Sequence, residues 1–458
     1  MKHSAKVITL ALTGFVMGAP QPVSAAPEKD RHVVLVTIDG FPSRFWNDPA
    51  LPLPNLRKLA AEGAQARAMT VSNPSVTWIN HTTLVTGVTP RKHGVLFNGL
   101  LTRSGAGRPP KVEQWADKAR FVLAPTLYDI AHAAGLTAAE VNWPATTRAE
   151  TIDWSFAELP APDAPLVREM IADGTITPEQ VQWMHHGPKR QNPKILDAMF
   201  TRAAQFIFTR HHPNLLIHHT FDTDYMHHVH GPGSTEGRAA LSYADELVGA
   251  LVKTVERSGL LNKTTFIVTT DHGFKNIGKI VLPNVVLKKA GYVKASGAKI
   301  ETCDAAAMAQ GGIGFVYVTD PARKAELLPK LRSLFEQTEG VERVLDGHEG
   351  PSLGMPSPAE NPSMGDLILY PKAGYAFKSD AAGEIVTVPS VNYGGTHGYL
   401  NSDPELDGFF IASGCGIKPG VSLERISIVD VAPTIAKLLS LQLPDTDGRV
   451  LTELLTSF

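Results

Sequence analysis

Cysteine is scarce in the 458-residue sequence, and this scarcity limits the chemistry open to the protein. Cys303 and Cys415 are its two cysteines, and neither lies in a CxxC motif, which argues against a sulfur-based metal site. Their spacing leaves two alternatives open, one disulfide bridge or two buried thiols. Dinucleotide-binding GxGxxG and phosphate-binding P-loop motifs are also missing, which removes several common enzyme classes.

An excess of positive charge is missing as well. The sequence has 43 Lys and Arg against 45 Asp and Glu, a net charge of −2, so we expect no nucleic-acid-binding surface. Hydrophobic residues make up 43% and charged residues 19%, which is ordinary for a globular protein. A chain of this length predicts one large domain, or a domain with an insertion.

A run long enough to span a bilayer is missing, although the N-terminus is apolar. Lys2 and Lys6 precede the apolar stretch Val7–Ala19, and Val23-Ser24-Ala25 has the small-x-small pattern of a cleavage site. The apolar stretch is too short for a transmembrane helix. Residues 1–25 are therefore predicted to be an export signal, with a membrane anchor as the alternative. We expect a periplasmic or secreted mature chain without a membrane span.

Apolar runs of strand length alternate with helix-like segments along the rest of the chain. This alternation predicts an α/β fold, with a largely parallel central sheet sandwiched by helices. The predicted strands are His32–Ile38, Ala138–Trp143, Asn214–Thr220, Thr264–Thr270 and Gly408–Ser413. The predicted helices are Pro54–Gly63, Pro125–Gly135, Ile195–Arg210, Ala239–Ser258 and Ser427–Leu441.

The pattern changes between residues 278 and 384. Helix-like Val281–Ala290, a strand at Ile313–Val318, a helix at Pro321–Thr338 and a strand at Leu367–Tyr370 form a set without an obvious catalytic cluster. We interpret residues 278–384 as an inserted, smaller α+β cap. The catalytic core then comprises residues 26–277 and 385–458.

Metal-ligating residue types stand where the predicted core strands end, which is where open α/β sheets place their ligand sites. These residues are Asp39, Asp224, His228, Asp271, His272 and His397. Mixed imidazole and carboxylate ligands suit Zn²⁺ in a site with an open position, with Mn²⁺ or Fe as alternatives. Six ligands suffice for two metal ions, an arrangement that clamps both oxygens of a phosphoryl displacement. Asp224 and His228 share one side if their segment is helical.

Thr77 lies where the stretch Ser75–Asn98 turns into a helix-compatible segment. Free backbone N–H groups and the helix dipole favour an anionic oxygen at such a position. An ordinary helix cap is the alternative for Thr77. With six candidate ligands converging on this neighbourhood, the hydroxyl is predicted to bind a metal ion and to act as a nucleophile.

Several further histidines are predicted to be mostly surface or packing residues, with a metal-ligand role for His227 or His230 as the alternative. They are His185-His186, His211-His212, His218-His219, His227 and His230.

Six motifs together resemble the alkaline phosphatase superfamily, and within it the nucleotide pyrophosphatase/phosphodiesterase branch. They are TIDGF (Thr37–Phe41), LPNLRKLAAEGA (Leu53–Ala64), Ser75–Asn98, DYMHHVHGP (Asp224–Pro232), TTDHGF (Thr269–Phe274) and GGTHGY (Gly394–Tyr399). They cover the core in the family's order. The insert is similar to the small domain of phosphonoacetate-hydrolase-like relatives.

The resemblance implies a covalent phosphothreonine mechanism with Thr77 as the nucleophile. It implies that one metal ion is held by Asp39, Asp271 and His272, and the other by Asp224, His228 and His397. Asn98 matches the family's asparagine that donates its side-chain N–H to a phosphate oxygen.

Substrate class depends on the residues that surround the phosphate. Asn142-Trp143-Pro144-Ala145 is similar to the diesterase pattern and lacks the Lys and Arg of monoesterase relatives. Trp78 replaces a phenylalanine that stacks on the base in nucleotide-cleaving relatives, with hydrophobic packing as the alternative role. Small-molecule phosphodiesters or nucleotides are the expected substrates.

Two stretches depart from the family's pattern and bear on the leaving group. The usual Thr-Phe-Pro-Asn-His is Thr77-Trp78-Ile79-Asn80-His81 here, and the usual acidic-Pro lead is His218–Thr223. The residue pair Asp224-Tyr225 resembles the sequence of phosphonoacetate hydrolases at this position. Phosphonate hydrolysis and monoester hydrolysis are therefore alternatives at the same site. A non-catalytic metal-dependent binding protein would be expected to lack a ligand or the nucleophile, and none is missing.

Overall fold

The computed structural model describes residues 28–185 and 192–456. The predicted export signal and its cleavage position lie outside the described residues. None of the helices in the described segments combines the length and apolar character needed to cross a bilayer.

The strands vary from two to seven residues in length. In chain order they are β1 (His32–Ile38), β2 (Ala64–Thr70), β3 (Leu100–Thr102), β4 (Lys111–Glu113), β5 (Ala138–Val141), β6 (Trp154–Phe156), β7 (Leu215–Thr220), β8 (Thr264–Thr269), β9 (Lys275–Asn276), β10 (Lys279–Val281), β11 (Val293–Ser296), β12 (Lys299–Cys303), β13 (Ala305–Ala309), β14 (Gly314–Val318), β15 (Val341–Asp346), β16 (Leu367–Pro371), β17 (Tyr375–Phe377), β18 (Thr387–Pro389), β19 (Gly395–Thr396), β20 (Gly408–Gly414) and β21 (Val421–Ser427).

The α-helices alternate with the core strands. In chain order they are α1 (Ser43–Trp46), α2 (Pro54–Glu62), α3 (Thr77–Thr86), α4 (Pro90–His93), α5 (Leu127–Ala133), α6 (Pro165–Ala172), α7 (Pro178–Met184), α8 (Pro193–His211), α9 (Asp222–His230), α10 (Thr235–Arg257), α11 (Pro283–Lys289), α12 (Lys324–Glu336) and α13 (Val431–Leu438).

The central sheet has eight strands in the order β21-β2-β20-β8-β1-β7-β5-β6. Strand β20 runs antiparallel to both of its neighbours, and the other pairs are parallel. Every residue of β1, β7 and β8 is buried, as is typical of strands covered on both faces. The predicted α/β fold with a largely parallel sheet is therefore confirmed.

Helices cover both faces of this sheet. One apolar cluster joins α3, α5 and α13 to one face, and it includes Leu84, Tyr128 and Ile435. The other joins α2, α8 and α10 to the opposite face, and it includes Leu56 and Phe200. The two clusters fix the sheet between helix layers, so the carboxyl ends of β1, β7 and β8 form one edge.

The predicted insert contains a second, four-stranded antiparallel sheet in the order β13-β14-β16-β15. Helix α12 packs on one of its faces through Leu331 and Phe335. The other face contacts the core segment after α3, where Phe97 and Phe315 have ring centroids 5.4 Å apart. The insert thereby supports the segment that carries Asn98. Its limits at residues 278 and 384 stay a prediction.

Three core strands are missing from the sequence prediction. Strand β2 (AQARAMT) has few β-branched residues, and its neighbours in sequence are helical. Strands β6 and β21 lie at the two edges of the sheet, where a strand need not be apolar on both sides. The predicted helix Ser427–Leu441 is shorter in the structure, where α13 begins after a 3₁₀ turn at Ile428–Asp430.

The cysteines are thiols in the described part of the chain. Cys303 is buried at the end of β12, and Cys415 is partly buried after β20. Of the two alternatives that the sequence leaves open, the structure has the thiols.

Candidate active site

The acidic candidates lie together because three neighbouring strands end at the same edge. Strand β1 lies between β8 and β7, and all three run parallel. Asp39 follows β1, Asp271 and His272 follow β8, and Asp224 lies in α9 directly after β7. The order of the strands, and not proximity in sequence, brings these side chains into one site.

Gly40 allows the chain to turn sharply after Asp39. Its φ is +65°, a left-handed conformation that favours glycine. A Cβ at this position would lie 3.0 Å from the Phe274 ring and 3.3 Å from the Asp224 Cα. The close approach of α9 to the end of β1 therefore depends on a residue without a side chain.

His397 reaches the site through a small pairing that the sequence does not predict. The two-residue strand β19 pairs antiparallel with β9, which follows Asp271-His272 along the chain. This pairing places the His397 ring against His272, with ring centroids 3.7 Å apart and planes 14° from parallel.

Asp224, His228 and His397 form one possible metal-binding group, with ligand atoms all within 4.8 Å of one another. The His228 Nε2 atom lies 3.5 Å from Asp224 Oδ2, and the His397 Nε2 atom lies 3.6 Å from Asp224 Oδ1. Asp224 and His228 lie on one helix, α9, as their four-residue spacing suggests. The three residues are those predicted to share one metal ion.

Asp39, Asp224 and His272 form a second group by the same distance criterion. Asp271, predicted from sequence in place of Asp224, is also close, since its Oδ2 lies 3.2 Å from His272 Nε2. The Asp39 Oδ1 atom lies 3.4 Å from the same nitrogen. Asp224 thus belongs to both groups and lies between them.

The three histidines all use Nδ1 to contact a backbone carbonyl. His228 contacts Gly395 at 3.0 Å, His272 contacts Gly273 at 3.1 Å and His397 contacts Ser75 at 2.9 Å. With Nδ1 donating to a carbonyl, Nε2 keeps its lone pair and faces the carboxylates. Metal-binding histidines are commonly held in this way.

The carboxylates around these histidines have unsatisfied oxygens. Among the described residues, Asp39 Oδ1, Asp224 Oδ1 and Asp271 Oδ2 are buried without a hydrogen-bond partner. Burial and the neighbouring Asp271 and Asp224 carboxylates raise the pKa of Asp39 well above its ordinary value. Burial raises the pKa of Asp224 to about 7. A bound cation would offset this penalty on ionisation, so the raised pKa values and the unpaired oxygens fit a cation between the carboxyl groups.

The histidines are neutral at ordinary pH, as metal ligands must be. Burial lowers the pKa of His228 to about 4 and that of His397 to about 3. Burial also lowers the pKa of His272 well below its ordinary value. Neutral imidazoles with free Nε2 atoms, beside unpaired carboxylate oxygens, fit divalent metal ions.

Thr77 is the first residue of helix α3, where backbone N–H groups have no partner within the helix. Its Oγ1 lies 3.4 Å from His272 Nε2. The N-cap position of this helix is occupied by Val76, and no side chain forms a capping hydrogen bond there. Thr77 therefore does not act as the helix cap, which was the alternative role for its hydroxyl. The hydroxyl faces the candidate metal ligands.

Asn98 is oriented by the backbone of the same helix. The Trp78 backbone N–H donates to Asn98 Oδ1 at 3.1 Å. Because the oxygen is used in this bond, the amide nitrogen is the end that remains to donate to a ligand. Asn98 is exposed and lines a cavity beside His228 and His397.

Trp78 packs against neighbouring aromatic rings and also lines another cavity, which we call the aromatic cavity. Its side chain is 5% exposed and stacks near Phe121, with ring centroids 6.3 Å apart. The cavity has a volume of about 570 Å³ and is lined by Trp115, Trp143 and Trp154, among others. Trp115 is 41% exposed and lies 6.1 Å from Trp78, so it offers the more accessible aromatic face.

Two buried histidines beside the site are missing from the sequence prediction. His219 Nε2 lies 3.0 Å from Asp39 Oδ2, although His218-His219 is predicted to be a surface or packing pair. His81 bridges Thr77 O at 2.8 Å and Thr37 Oγ1 at 2.9 Å. The sequence feature that would identify His219 is the continuous polar stretch His218-His219-Thr220 at the end of a strand that is otherwise apolar.

The other histidines are more ordinary. His227 is buried and contacts Gly40 O at 3.0 Å through Nδ1, which makes it a packing residue. His211 stacks on Trp154, and His230 is exposed on α9. His186 lies outside the described residues.

Comparisons with known proteins agree with this geometry. The sequence profile of the type I phosphodiesterase/nucleotide pyrophosphatase family matches residues 33–400. Mouse ectonucleotide pyrophosphatase/phosphodiesterase family member 7 is 26% identical, covering 98% of this chain and 92% of that protein. Venom phosphodiesterase 2 of Crotalus adamanteus is 26% identical, covering 54% of this chain and 27% of that protein.

Solved structures show the same fold. Human ectonucleotide pyrophosphatase/phosphodiesterase 5 superposes with a TM-score of 0.71 at 18% identity, covering 93% of this chain and all of that chain. An inactive threonine-to-alanine variant of the murine protein, in complex with AMP, superposes with a TM-score of 0.69 at 17% identity and the same coverage. By its profile match and these relatives, the chain is a phosphoric ester hydrolase of the type I phosphodiesterase/nucleotide pyrophosphatase family, within the alkaline phosphatase superfamily.

Proposed function

We propose that the protein is an exported two-metal phosphodiesterase or nucleotide pyrophosphatase that acts through a phosphothreonine intermediate on Thr77. The observation that carries the proposal is the position of Thr77 Oγ1, 3.4 Å from His272 Nε2 at the start of α3. A nucleophile that lies among candidate metal ligands is what covalent phosphoryl transfer requires.

The family is metal-dependent, and Zn²⁺ is the ion that this ligand set suits best. Asp39, Asp271 and His272 would hold one ion beside Thr77, and Asp224, His228 and His397 would hold the other. Bound there, the two ions would supply Lewis-acid stabilisation of the attacking and leaving oxygens.

The remaining steps belong to residues of the chain. The Thr77 hydroxyl loses its proton to solvent, and Oγ1 forms a bond to phosphorus as the bond to the leaving oxygen breaks. The electron pair of the broken bond departs with that oxygen. The Asn98 amide nitrogen donates to a non-bridging oxygen, where negative charge is held in the transition state. Water then hydrolyses the phosphothreonine and regenerates the hydroxyl.

A diester or phosphoanhydride is favoured as substrate because the aromatic cavity provides a large binding site for one substituent. Four tryptophans line this cavity, and indole rings suit contact with a nucleoside base or a similar flat group. The murine relative forms a complex with AMP, which supports a nucleotide as the substrate class. The expected N-terminal export signal and the relatives named as ectoenzymes or venom enzymes support a periplasmic or secreted location.

Turnover of bis-p-nitrophenyl phosphate by Thr77→Ala tests the proposal. We expect this variant to release no p-nitrophenolate above background, while its metal content stays near two ions per chain. Thr86→Ala is a matched control in the same helix, because the Thr86 hydroxyl donates to Thr82 O at 2.7 Å. Thr86→Ala should retain turnover.

Retained turnover in Thr77→Ala would contradict the covalent mechanism. Faster hydrolysis of p-nitrophenyl phosphate or phosphonoacetate than of the diester would favour monoester or phosphonate hydrolysis instead.

A further inference from the structure

The cavity that Asn98 lines, which we call the insert-side cavity, opens beside the metal-binding candidates. It has a volume of about 410 Å³ and is lined by Asn98, His228 and His397 from the core, and by Gln310 and Lys378 from the predicted insert. The aromatic cavity lies on the Trp78 side of Thr77, and Trp78 is not among the residues that line the insert-side cavity. Two distinct spaces therefore flank the reactive centre.

The two cavities differ in charge. Asp153, Glu158 and Glu169 line the aromatic cavity together with Arg148. Of the described residues that line the insert-side cavity, Lys378 is the one that carries a formal charge at neutral pH. The insert-side cavity is thus the electropositive one.

Lys378 is held beside the candidate metal ligands by an aromatic ring. Its Nζ lies 4.4 Å from the centroid of the Tyr393 ring. That ring stacks on His228, with centroids 4.7 Å apart and planes 21° from parallel. The Tyr393 ring therefore lies between the Lys378 ammonium group and His228, a member of the Asp224–His228–His397 group.

The Lys378 ammonium is also available to a ligand. Four lysines of the insert pair with carboxylates: Lys279 with Glu339, Lys288 with Glu384, Lys324 with Asp366 and Lys330 with Glu326. Within the described segments, Lys378 is exposed and forms no ion pair. A cation that lines a cavity without a carboxylate partner suits an anionic group of a substrate.

The direction of the reaction indicates which group this is. Attacking and leaving oxygens lie roughly in line on opposite sides of phosphorus. Thr77 lies next to His272, in the ligand group that includes Asp39. The leaving group then departs towards Asp224, His228 and His397, and the last two of these line the insert-side cavity.

We propose that Lys378 determines specificity for a leaving group that carries its own negative charge, such as a pyrophosphate. The inference rests on the proposed function and adds to it the chemical class of the leaving group. In such a reaction Thr77 Oγ1 bonds to the α-phosphorus, and the bond from that phosphorus to the bridging oxygen breaks. Its electron pair leaves with pyrophosphate, and water later releases the nucleoside monophosphate.

A pair of substrates that differ only in the leaving group tests this role. Thymidine 5′-triphosphate releases pyrophosphate, and p-nitrophenyl thymidine 5′-phosphate releases p-nitrophenolate from the same thymidine 5′-phosphoryl group. Lys378→Met keeps the aliphatic stem on Tyr393 and removes the charge. We expect kcat/KM for the triphosphate to fall by about tenfold or more in this variant, as for a lost hydrogen bond to a charged group. The value for the p-nitrophenyl ester should change by less than about twofold.

Two further variants serve as controls. Lys378→Arg keeps the charge and should retain most of the triphosphate activity. Lys372→Met removes an exposed lysine of the same insert that does not line the cavity, and should leave both substrates unaffected.

Equilibrium binding gives a readout that is independent of turnover. In a Thr77→Ala background, calorimetry should show that Lys378→Met weakens triphosphate binding by about tenfold and leaves binding of the p-nitrophenyl ester unchanged. Equal effects on both substrates, or no effect on either, in kinetics or in binding, would overturn the role of Lys378. Absence of hydrolysis of both substrates by the unsubstituted protein would instead contradict the proposed function, and the binding comparison would still decide the role of Lys378.

Discussion

His219 Nε2 lies 3.0 Å from Asp39 Oδ2, and both side chains are buried at the edge of the central sheet. The other ring nitrogen, Nδ1, lies 3.0 Å from the Asn142 backbone carbonyl oxygen and 3.4 Å from the Asn142 amide nitrogen. The contact between Nε2 and Oδ2 is of hydrogen-bond length, and it fixes the orientation of the Asp39 carboxyl group. The contact makes His219 a positioning residue for a proposed metal ligand.

Replacing His219 by Phe should therefore weaken metal binding. Loss of a partner of a metal ligand commonly lowers metal affinity by about 10- to 100-fold, and activity at limiting metal should fall with it. Competition with a zinc chelator measures the affinity. The matched control is His218→Gln, because the neighbouring His218 contacts Thr201 Oγ1 at 3.2 Å and makes no contact with Asp39. Equal affinity in His219→Phe and the unsubstituted protein would contradict this role.

Asn98→Ala should lower kcat for a diester by about 10²- to 10³-fold, with a smaller change in KM. The physical reason is the loss of an oriented donor to a phosphate oxygen. Asn98→Asp keeps an acceptor for the Trp78 N–H but has no amide donor, which separates the two functions of the side chain. If Asn98→Asp were as active as the unsubstituted enzyme, Asn98 would only support Trp78.

Trp115→Ala should raise KM for a nucleotide diester but cause little change in KM for dimethyl phosphate, which has no flat substituent. The indole is 41% exposed and lies across from Trp78, so its face is available to a flat substituent. A lost stacking contact corresponds to about 1–3 kcal/mol, or a rise in KM of roughly 5- to 150-fold. Steady-state kinetics with both substrates measures the difference. A parallel rise for both would point to a change in the site as a whole.

Glu140 should make the stability of the fold fall as the pH rises. Burial raises the pKa of this carboxyl from 4.5 to about 7, although it accepts hydrogen bonds from the Trp143 N–H and the Ser155 hydroxyl. Between these two values the unfolded chain loses the proton while the folded chain retains it. The contribution of this proton to the stability of the fold is therefore fully present below pH 4.5, and it is lost as the pH rises to about 7.

Glu140→Gln removes this titration and can still accept the Trp143 N–H. The Tm of the variant relative to the unsubstituted protein should rise by about 2–4 °C between pH 5 and pH 8 at a fixed metal concentration. Thermal unfolding followed by circular dichroism gives both values. A Tm difference that does not change with pH would show that Glu140 is already ionised in the folded chain.

Much of the fold could be predicted because the central strands are continuous apolar runs. His32–Ile38 is confirmed residue for residue as β1, and Asn214–Thr220 and Thr264–Thr270 differ from β7 and β8 by one residue at one end. An edge strand such as β6 has a neighbouring strand on one side only and is less fully buried. Its sequence therefore need not be a continuous apolar run, and it is harder to identify as a strand. The sequence pattern therefore indicates the middle of the sheet better than its borders.

The site could be predicted only in part because its contacts depend on the order of the strands. His219 reaches Asp39 since β7 pairs with β1 in the register that sets His219 opposite Thr37. His397 depends on the two-residue pairing of β9 with β19. Lys378 lies in an insert predicted to have no catalytic cluster, and only the folded chain places it in a cavity beside His228.

Trapping the covalent intermediate tests the central claim most directly. The enzyme would be mixed with bis-p-nitrophenyl phosphate, quenched in acid during steady turnover, digested and mapped by mass spectrometry. We predict a p-nitrophenyl phosphoryl adduct on the peptide that contains Thr77, present in Thr86→Ala and absent from Thr77→Ala. Steady turnover with no adduct on Thr77, or with the adduct on another residue, would contradict the account.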